Sequence, residues 1–317
     1  MLGLGLASSH APAMFRPAKT WPAIYDAIPE YTKQSQPHTA AGETQEVIQE
    51  YVDRIDASFA VLRERLQAFK PDALVVLGDD QGDLFARSMM PALCVYTGEE
   101  LWGTLAIPYL PEDPSEMIIT LRVHQGLAKH VLGRLFDHGF DPAYAEIQRP
   151  MGRPGHGASH AMIHPMPRLM PKLDIPVVPI FLNEYFPPLP SAERCLRLGH
   201  ALRQILDERP ERVAIYASGG LSHDPTGPRA GWVDEPLDRW FLDRLANNEH
   251  GQLKNLFTFD SDTLRGGTGE LRAWIAVAAA MDRPASVVEY FPSHHAKIGC
   301  GFATWGPAVG ATGPNTG

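Results

Sequence analysis

The residues of this sequence that could do chemistry are histidines and carboxylates that follow short apolar runs. His10 comes after "LGLGLASS", His223 comes after "AIYASGGLS", and Glu270 opens a helical pattern after "RGGTG". His160 and His164 lie in the loop segment "GHGASHAMIHP". Imidazoles and a carboxylate that meet from separate segments would suit Fe(II), with positions left open for substrate and dioxygen. No HxH or HExxH spacing is present, so this metal site is a hypothesis.

The same segments disfavour two other kinds of site. The glycines of "GGTGE" lack the lysine and the Ser/Thr of a P-loop at the required spacing, which argues against phosphate binding. Ser222 and His223 are neighbours, so their side chains point apart in extended backbone, and no GxSxG motif exists. A serine hydrolase is therefore disfavoured. His223 is left as a candidate acid or base at a strand end, or as an ordinary turn histidine.

The elements that must position these residues are short apolar strands that alternate with helical patterns. The predicted strands are "LGLGLA", "DALVVLGDD", "ALCVYT", "IPVVPIFLN", "RVAIYASGG", "ASVVEYF" and "CGFATW". The predicted helices span residues 43–69, 115–139, 191–210 and 269–282. This alternation predicts an α/β fold, with a central mostly parallel or mixed sheet flanked by helices. The carboxyl ends of such strands form a crevice, and we expect the active site there.

Composition narrows the class of protein. The 317 residues are interpreted as a single catalytic domain, residues 1–305, followed by a flexible C-terminal tail, residues 306–317. The net charge of −9 and the absence of a basic block argue against nucleic-acid binding. Three well-separated cysteines suggest a reduced, cytoplasmic setting. The longest apolar run, "WIAVAAAM", is far below the roughly 20 residues that span a membrane.

Seven segments together resemble the class III extradiol ring-cleavage dioxygenases, the family of the protocatechuate 4,5-dioxygenase catalytic subunit. The most specific is "SGGLSHDPTGPRAGW". The others are "SSHAP", "DDQGDLF", "DHGF", "SHAMIHP", "PPLPSAERCLRLG" and "GELRAWIAVAAAM". The resemblance covers nearly the whole chain. It implies a ring-cleaving enzyme that uses Fe(II) and O₂ and takes a catechol-type or a methoxylated or carboxylated dihydroxy-aromatic substrate.

The resemblance also implies roles for individual residues. His10 and Glu270 would bind the iron. His223 would take a proton from a substrate hydroxyl and return it later, a task that suits an imidazole. His160 would contact a substrate oxygen.

Three further residues are candidates for substrate binding. Arg153 and Arg168 flank the histidine loop and could pair with a substrate carboxylate, although ordinary surface arginines are the favoured alternative. His294 and His295 are adjacent, so at most one of them can face the site, and His295 is the candidate for its rim.

Gln81 is a departure from the family pattern. Relatives carry a second iron-binding histidine just after the strand that ends in "DD", where this chain has glutamine. Gln81 could bind the metal through its oxygen, His38 of the segment "QPHTAAGE" could replace the missing ligand, or the site could be altered or lost. The last alternative leaves open a non-catalytic relative that binds a small molecule. A zinc hydrolase of the same fold is a further alternative. The resemblance also implies a homo-oligomer and allows a small partner subunit.

Overall fold

A mixed sheet forms the centre of the computed structural model, which describes residues 1–306 except 28, 34–36, 109, 226 and 228. Of residues 31, 32, 37 and 38 it describes the backbone alone. The strands in this part of the chain are β1 Leu2–Ser8, β2 Ala73–Gly78, β3 Leu93–Tyr96, β4 Glu100–Thr104, β5 Ile118–Arg122, β6 Ala143–Ala145, β7 Val177–Leu182, β8 Val213–Ser218, β9 Ser286–Ser293 and β10 Ile298–Trp305. The α-helices are α1 Trp21–Asp26, α2 Glu30–Lys33, α3 Pro37–Ala41, α4 Gln45–Phe69, α5 Gln125–Asp137, α6 His160–Ile163, α7 Met166–Leu169, α8 Ala192–Asp207, α9 Glu235–Ala246 and α10 Leu271–Met281.

Eight of the strands pair in the order β6-β3-β7-β2-β8-β1-β10-β9. The central strands β7, β2, β8 and β1 are parallel to one another, while β3, β10 and β9 pair antiparallel with their neighbours β7, β1 and β10. Every residue of β2, β7 and β8 is buried, as expected for parallel strands covered on both faces. The prediction of an α/β fold with a mixed sheet is confirmed.

The long helices form where the periodicity and caps of the sequence predict them. In α4 the apolar positions face the core, and Thr44 accepts a hydrogen bond from the backbone N–H of Val47 at its start. Ser191 caps α8 in the same way. Helices α8 and α10 pack against each other at Gly199, where a Cβ would lie 2.1 Å from the carbonyl oxygen of Ala276. Only glycine permits this close approach.

One predicted helix is wrong in part. Residues 115–139 form strand β5 followed by α5, because the β-branched Ile118, Ile119 and Thr120 pair antiparallel with β4. The helix begins only after His124, whose ring accepts the N–H of Leu127. Strands β4 and β6 were not predicted because their segments are short, and helix α9 was missed although its buried residues Asp238, Phe241, Leu242 and Leu245 have helical spacing.

The parallel arrangement brings four strand ends to one edge of the sheet. Strands β1, β2, β7 and β8 all end there, and the segments that follow them carry His10, Asp79, Tyr185 and His223. One continuous set of buried apolar side chains reaches from β1 to β10. The predicted boundary at residue 305 and the predicted tail stay predictions, because residues 307–317 lie outside the described part.

Two further observations concern the cysteines and a possible membrane-spanning helix. Cys94, Cys195 and Cys300 are buried free thiols. Within the described residues, none of the helices combines the length and the apolar character needed to span a bilayer.

Candidate metal centre and active site

Three buried side chains with metal-ligand chemistry meet at the strand ends. His10, Asp79 and Glu270 each offer one ligand atom, and these atoms all lie within 4.8 Å of one another. His10 Nε2 is 3.3 Å from Glu270 Oε2 and 3.8 Å from Asp79 Oδ1. Each of the three residues is at most 1% exposed. We call these residues the ligand cluster.

His10 presents a nitrogen lone pair to the two carboxylates. Its Nδ1 is 3.1 Å from Ser218 Oγ, and the Ser218 hydroxyl donates its own hydrogen to the Ala161 carbonyl oxygen over 2.6 Å. Because a serine hydroxyl has one hydrogen, it accepts the bond from Nδ1–H, which in the neutral ring leaves the lone pair on Nε2. Nε2 has no hydrogen-bond partner among the described residues. A buried lone pair that faces carboxylate oxygens fits a cation held between them.

Asp79 is the member of the ligand cluster that sequence reasoning missed. It directly follows β2, is fully buried, and neither carboxylate oxygen has a hydrogen-bond partner in the described structure. Burial, and then the Glu270 carboxylate, raises the pKa of Asp79 well above its ordinary value. A carboxylate in this position either keeps a proton or binds a cation. Its signal in the sequence is the "GDD" that ends the apolar run, two residues before Gln81.

Glu270 is held by donors from three other segments. Its Oε1 accepts the hydroxyl hydrogen of Tyr185 over 2.6 Å and an amide hydrogen of Gln81 over 3.3 Å. Its Oε2 accepts the backbone N–H of Gly220. Tyr185 was also missed by sequence reasoning, although it follows the apolar run of β7 just as the other site residues follow theirs.

His223 lies beside Glu270 with a defined hydrogen position. Its Nδ1 is 2.8 Å from the Leu221 carbonyl oxygen, which can only accept, so Nδ1 carries a hydrogen and Nε2 is the nitrogen that the backbone leaves unengaged. Nε2 is 3.4 Å from Glu270 Oε1 and 3.3 Å from the Tyr185 hydroxyl. Burial opposes ionisation of Glu270, but the neighbouring imidazole rings of His10 and His223 outweigh it and hold the pKa of this carboxyl well below its ordinary value.

A second segment supports the His223 turn. The backbone N–H of His223 donates to Thr268 Oγ1 over 3.1 Å, and its carbonyl oxygen accepts the N–H of Thr268 over 3.0 Å. A Cβ on Gly267 would lie 2.0 Å from His223 Nε2, so glycine is required for the ring to occupy this place. The glycine-rich "RGGTG" therefore both precedes Glu270 and accommodates His223.

His160 completes the group at the first residue of α6. Its ring centroid is 4.9 Å from that of His10, with the planes nearly perpendicular, and 5.8 Å from that of His164. Desolvation, followed by the neighbouring rings of His10 and His164, lowers the pKa of His160 well below its ordinary value. The ring is therefore neutral at pH 7 and can donate one hydrogen bond and accept another.

Two adjoining pockets open onto this group. The space within the pocket at the ligand cluster is about 570 Å³ and that within the pocket beside it is about 450 Å³, with the open solvent at each mouth included. Pro12, Gln81 and His160 line both. We call the first the cluster pocket and the second the adjoining pocket. The cluster pocket also has an apolar wall, made of Ala11, Pro12, Ala13, Ile24 and Ala296.

The three predicted substrate-binding residues lie in three different places in the structure. His295 lines the cluster pocket, with Nδ1 2.7 Å from Glu43 Oε2. Arg153 lines the adjoining pocket and pairs with Asp83 at 3.2 Å. Arg168 lines neither of them: it lies on α7 and pairs with Asp56 of α4 at 2.5 Å, which favours the alternative of an ordinary surface arginine.

Of the two residues considered in place of the second histidine ligand of relatives, the structure locates the side chain of one. Gln81 lies in the site, half-buried, and its amide nitrogen faces Glu270. His38 belongs to α3, but its side chain lies outside the part that the structure describes, so its role as a ligand stays a prediction.

Comparison with known proteins gives a family match over most of the chain. A family model described as the catalytic LigB subunit of aromatic ring-opening dioxygenase matches residues 34–302. The matched range contains Asp79, His223 and Glu270, while His10 precedes it.

The relatives that match this chain in sequence are also named as dioxygenases of aromatic compounds. A 2,3-dihydroxyphenylpropionate/2,3-dihydroxicinnamic acid 1,2-dioxygenase from Photorhabdus laumondii is 30% identical over 58% of this chain and 53% of its own length. A second such enzyme from Pseudomonas putida is 26% identical over 74% of this chain and 83% of its own length. The chain thus spans about half the length of the Photorhabdus relative. The crystal structure of uncharacterized protein JW3007 from Escherichia coli K12 covers 96% of this chain and is itself covered completely, with a TM-score of 0.51 and 16% identity, which shows a shared fold.

Proposed function

Since this chain belongs to the family of the catalytic LigB subunit of aromatic ring-opening dioxygenases, as its sequence segments predicted, we propose that it is a metal-dependent extradiol dioxygenase that opens the ring of a dihydroxy-aromatic compound. The observation that carries this proposal is the ligand cluster, in which unpaired ligand atoms of His10 and Asp79 face Glu270 at the base of a pocket. His223 and Tyr185 line the same pocket.

The proposed metal is Fe(II), held by His10 and Glu270 with Asp79 as a third ligand. Imidazole and carboxylate donors suit this ion and leave positions open. When bound, Fe(II) would supply the redox chemistry that lets a ring diol react with dioxygen. Gln81 stands beside this set and is a further candidate ligand through its amide oxygen.

His223 is proposed as the acid/base. Its Nε2 is the nitrogen that the backbone leaves unengaged, it lies close to Glu270 and Tyr185, and the residue borders the pocket in which a substrate hydroxyl would lie. It would accept the hydroxyl proton and return it later in the reaction. The Leu221 carbonyl keeps the hydrogen on Nδ1 throughout the first step, so Nε2 stays available.

His160 and Tyr185 would orient the substrate and the base. The neutral His160 ring, which borders both pockets, would hydrogen-bond a substrate oxygen. The Tyr185 hydroxyl donates to Glu270 and lies 3.3 Å from His223 Nε2, so it would help to set the relative position of the two residues. The apolar wall of the cluster pocket would cover the ring and reduce access of water to it.

Metal analysis combined with oxygen uptake tests the proposal. Protein prepared without oxygen is expected to contain about one equivalent of iron and to consume O₂ with one or more compounds from a panel of catechols and their carboxylated or methoxylated derivatives. Zinc as the sole metal, with no O₂ consumption, would instead support the hydrolase alternative. Metal-free protein that is also inactive after loading with Fe(II) would support the non-catalytic alternative.

The oligomeric state and the cellular location of the protein are also proposals. We propose a homo-oligomer in the cytoplasm, and sedimentation of the purified chain would measure its mass. A requirement for a small partner subunit would appear as activity of the isolated chain that rises when the partner is added.

A further inference from the structure

Lys297 is a buried cation in the wall of the cluster pocket. It lies between β9 and β10, is 8% exposed, and borders the same pocket as His223, Tyr185 and Glu270. Lysine is rarely buried to this extent unless it is paired with an anion. Its position therefore needs an explanation.

The surrounding protein supplies only some of the hydrogen-bond acceptors that the Lys297 ammonium group can use. Lys297 Nζ donates one hydrogen bond, of 2.8 Å, to the Pro225 carbonyl oxygen. Among the described residues no carboxylate forms an ion pair with it, and Asp224 acts on it only at longer range. Burial lowers the pKa of Lys297 to about 8, which the Asp224 charge opposes. The group is still mostly charged at pH 7, with donor capacity left over.

The other candidate cation is already paired. Arg153 forms an ion pair with Asp83, has 43% of its side chain exposed, and belongs to the adjoining pocket. An anion near Arg153 would have to compete with Asp83. An anion in the cluster pocket would instead give Lys297 a counter-charge in direct contact, whereas Asp224 acts on it only at longer range.

We propose that Lys297 binds the carboxylate of the substrate and makes the enzyme select dihydroxy-aromatic acids over neutral catechols. The inference rests on the proposed function for the reaction, whereas the binding of an anion is argued from the pocket and the partners of Lys297 alone. The ring would lie along the apolar wall, with its hydroxyls at the ligand cluster and its carboxylate at Lys297. A charge-assisted hydrogen bond in a desolvated pocket is stronger than the same bond at the surface.

The first test compares acids with their own esters. Oxygen uptake is measured with 3,4-dihydroxybenzoate and 3-(3,4-dihydroxyphenyl)propionate, and with the methyl ester of each. The unmodified enzyme is expected to favour at least one acid over its ester. In Lys297→Met the acid-to-ester ratio of kcat/KM should fall by about 10- to 100-fold, mainly through KM for the acid. Lys297→Arg should retain part of the preference. Lys254→Met, at an exposed position, is the control and should leave the ratio unchanged.

The second test does not depend on turnover. Binding of the same acids and esters to metal-free protein, without oxygen, is followed by calorimetry. The acid should bind more tightly than the ester, and Lys297→Met should abolish the difference. If neither acid nor ester is cleaved while this difference is seen, the proposed function fails and the anion site stands.

Three outcomes would overturn the role of Lys297. One is an unmodified protein that binds acids no better than their esters. Another is a folded Lys297→Met variant, checked by its thermal unfolding, that keeps the preference. The third is a preference that disappears in Arg153→Met but survives in Lys297→Met. If Lys297→Met does not fold, Lys297→Gln and Lys297→Arg replace it, and loss of the preference in the glutamine variant alone supports the proposal.

Discussion

Tyr185 donates its hydroxyl hydrogen to Glu270 Oε1 over 2.6 Å, in a partly buried pair beside His223. Burial, and then the Glu270 charge, raises the pKa of Tyr185 well above its ordinary value, so the phenol keeps its hydrogen. The hydroxyl is thus a permanent donor that holds one oxygen of Glu270, while the other oxygen faces His10. This arrangement assigns the two oxygens of one carboxylate to different neighbours.

Removal of that donor is expected to affect turnover more than metal content. In Tyr185→Phe, Glu270 Oε1 keeps only the Gln81 amide as a donor, and the relative position of Glu270 and His223 is loosened. We expect kcat to fall by about 10- to 100-fold, with KM changed less and iron retained. Iron content and oxygen uptake measured on the same preparation check this. A variant that loses its iron would show that Tyr185 mainly supports the ligand.

The ligand cluster predicts which carboxylates hold the metal. His10→Ala, Glu270→Ala and Asp79→Ala should each lower the iron content strongly, because each removes an inward-facing ligand atom. Asp80→Asn is the matched control. Asp80 is the next residue, but its oxygens accept the backbone N–H groups of Leu84 and Phe85. Full iron content in Asp79→Ala would remove Asp79 from the ligand set.

Substitutions at Gln81 separate the alternatives for the ligand that relatives supply as histidine. If Gln81 binds the metal, Gln81→Ala should weaken iron binding, and Gln81→His should preserve or tighten it, because imidazole is the better ligand for Fe(II). If His38 is the replacement, the loss should appear in His38→Ala. Metal titrations of the three variants decide the question. Unchanged affinity in both alanine variants would leave Asp79 as the sole candidate among these residues.

His223 is expected to be needed for rate and not for metal. His223→Gln should keep iron near the parent level and lose roughly 10²- to 10⁴-fold in kcat, the usual contribution of a positioned proton-transfer group. The acid limb of the pH–rate profile should flatten in the variant, since the protonation that inactivates the base is gone. Normal turnover in His223→Gln would show that the turn is only structural.

Asp238 gives a prediction for stability against pH. It accepts hydrogen bonds from the Ser222 backbone and hydroxyl and from Tyr290, next to the His223 turn. Burial raises the pKa of Asp238 to about 7, partly offset by those bonds. Between its unfolded pKa, about 4, and this folded value, the folded state holds a proton that the unfolded state has released. The free energy of unfolding should therefore fall as pH rises through this window and level off above it.

Comparison with Asp238→Asn isolates this contribution. The difference in free energy of unfolding between the parent and the variant should change by about 1 kcal/mol per pH unit between pH 5 and 7, and little between pH 8 and 9. Urea unfolding of the metal-free proteins measures it. A difference that is constant from pH 5 to 9 would show that Asp238 is ionised in the folded protein throughout.

The sequence by itself determined the fold class and the main positions of the site. Long buried strands carry uninterrupted apolar runs, and parallel strands must end at a common edge, so polar residues just after such runs can be located without coordinates. His10, His223 and Glu270 were predicted on these grounds together with the family resemblance. The helices with full amphipathic periods and clear caps, α4 and α8, were predicted for the same local reasons.

Only the tertiary structure decided which neighbours at those strand ends turn inward. Asp79, Asp80 and Gln81 are consecutive, yet Asp79 enters the ligand cluster, Asp80 caps a loop, and Gln81 borders the pocket. Outside regular strands, side-chain direction depends on loop dihedrals that no periodicity reports. Likewise Lys297 and Arg168 are both isolated basic residues in the sequence, and only the packing of distant segments buries the first at the site and leaves the second on α7, paired with Asp56.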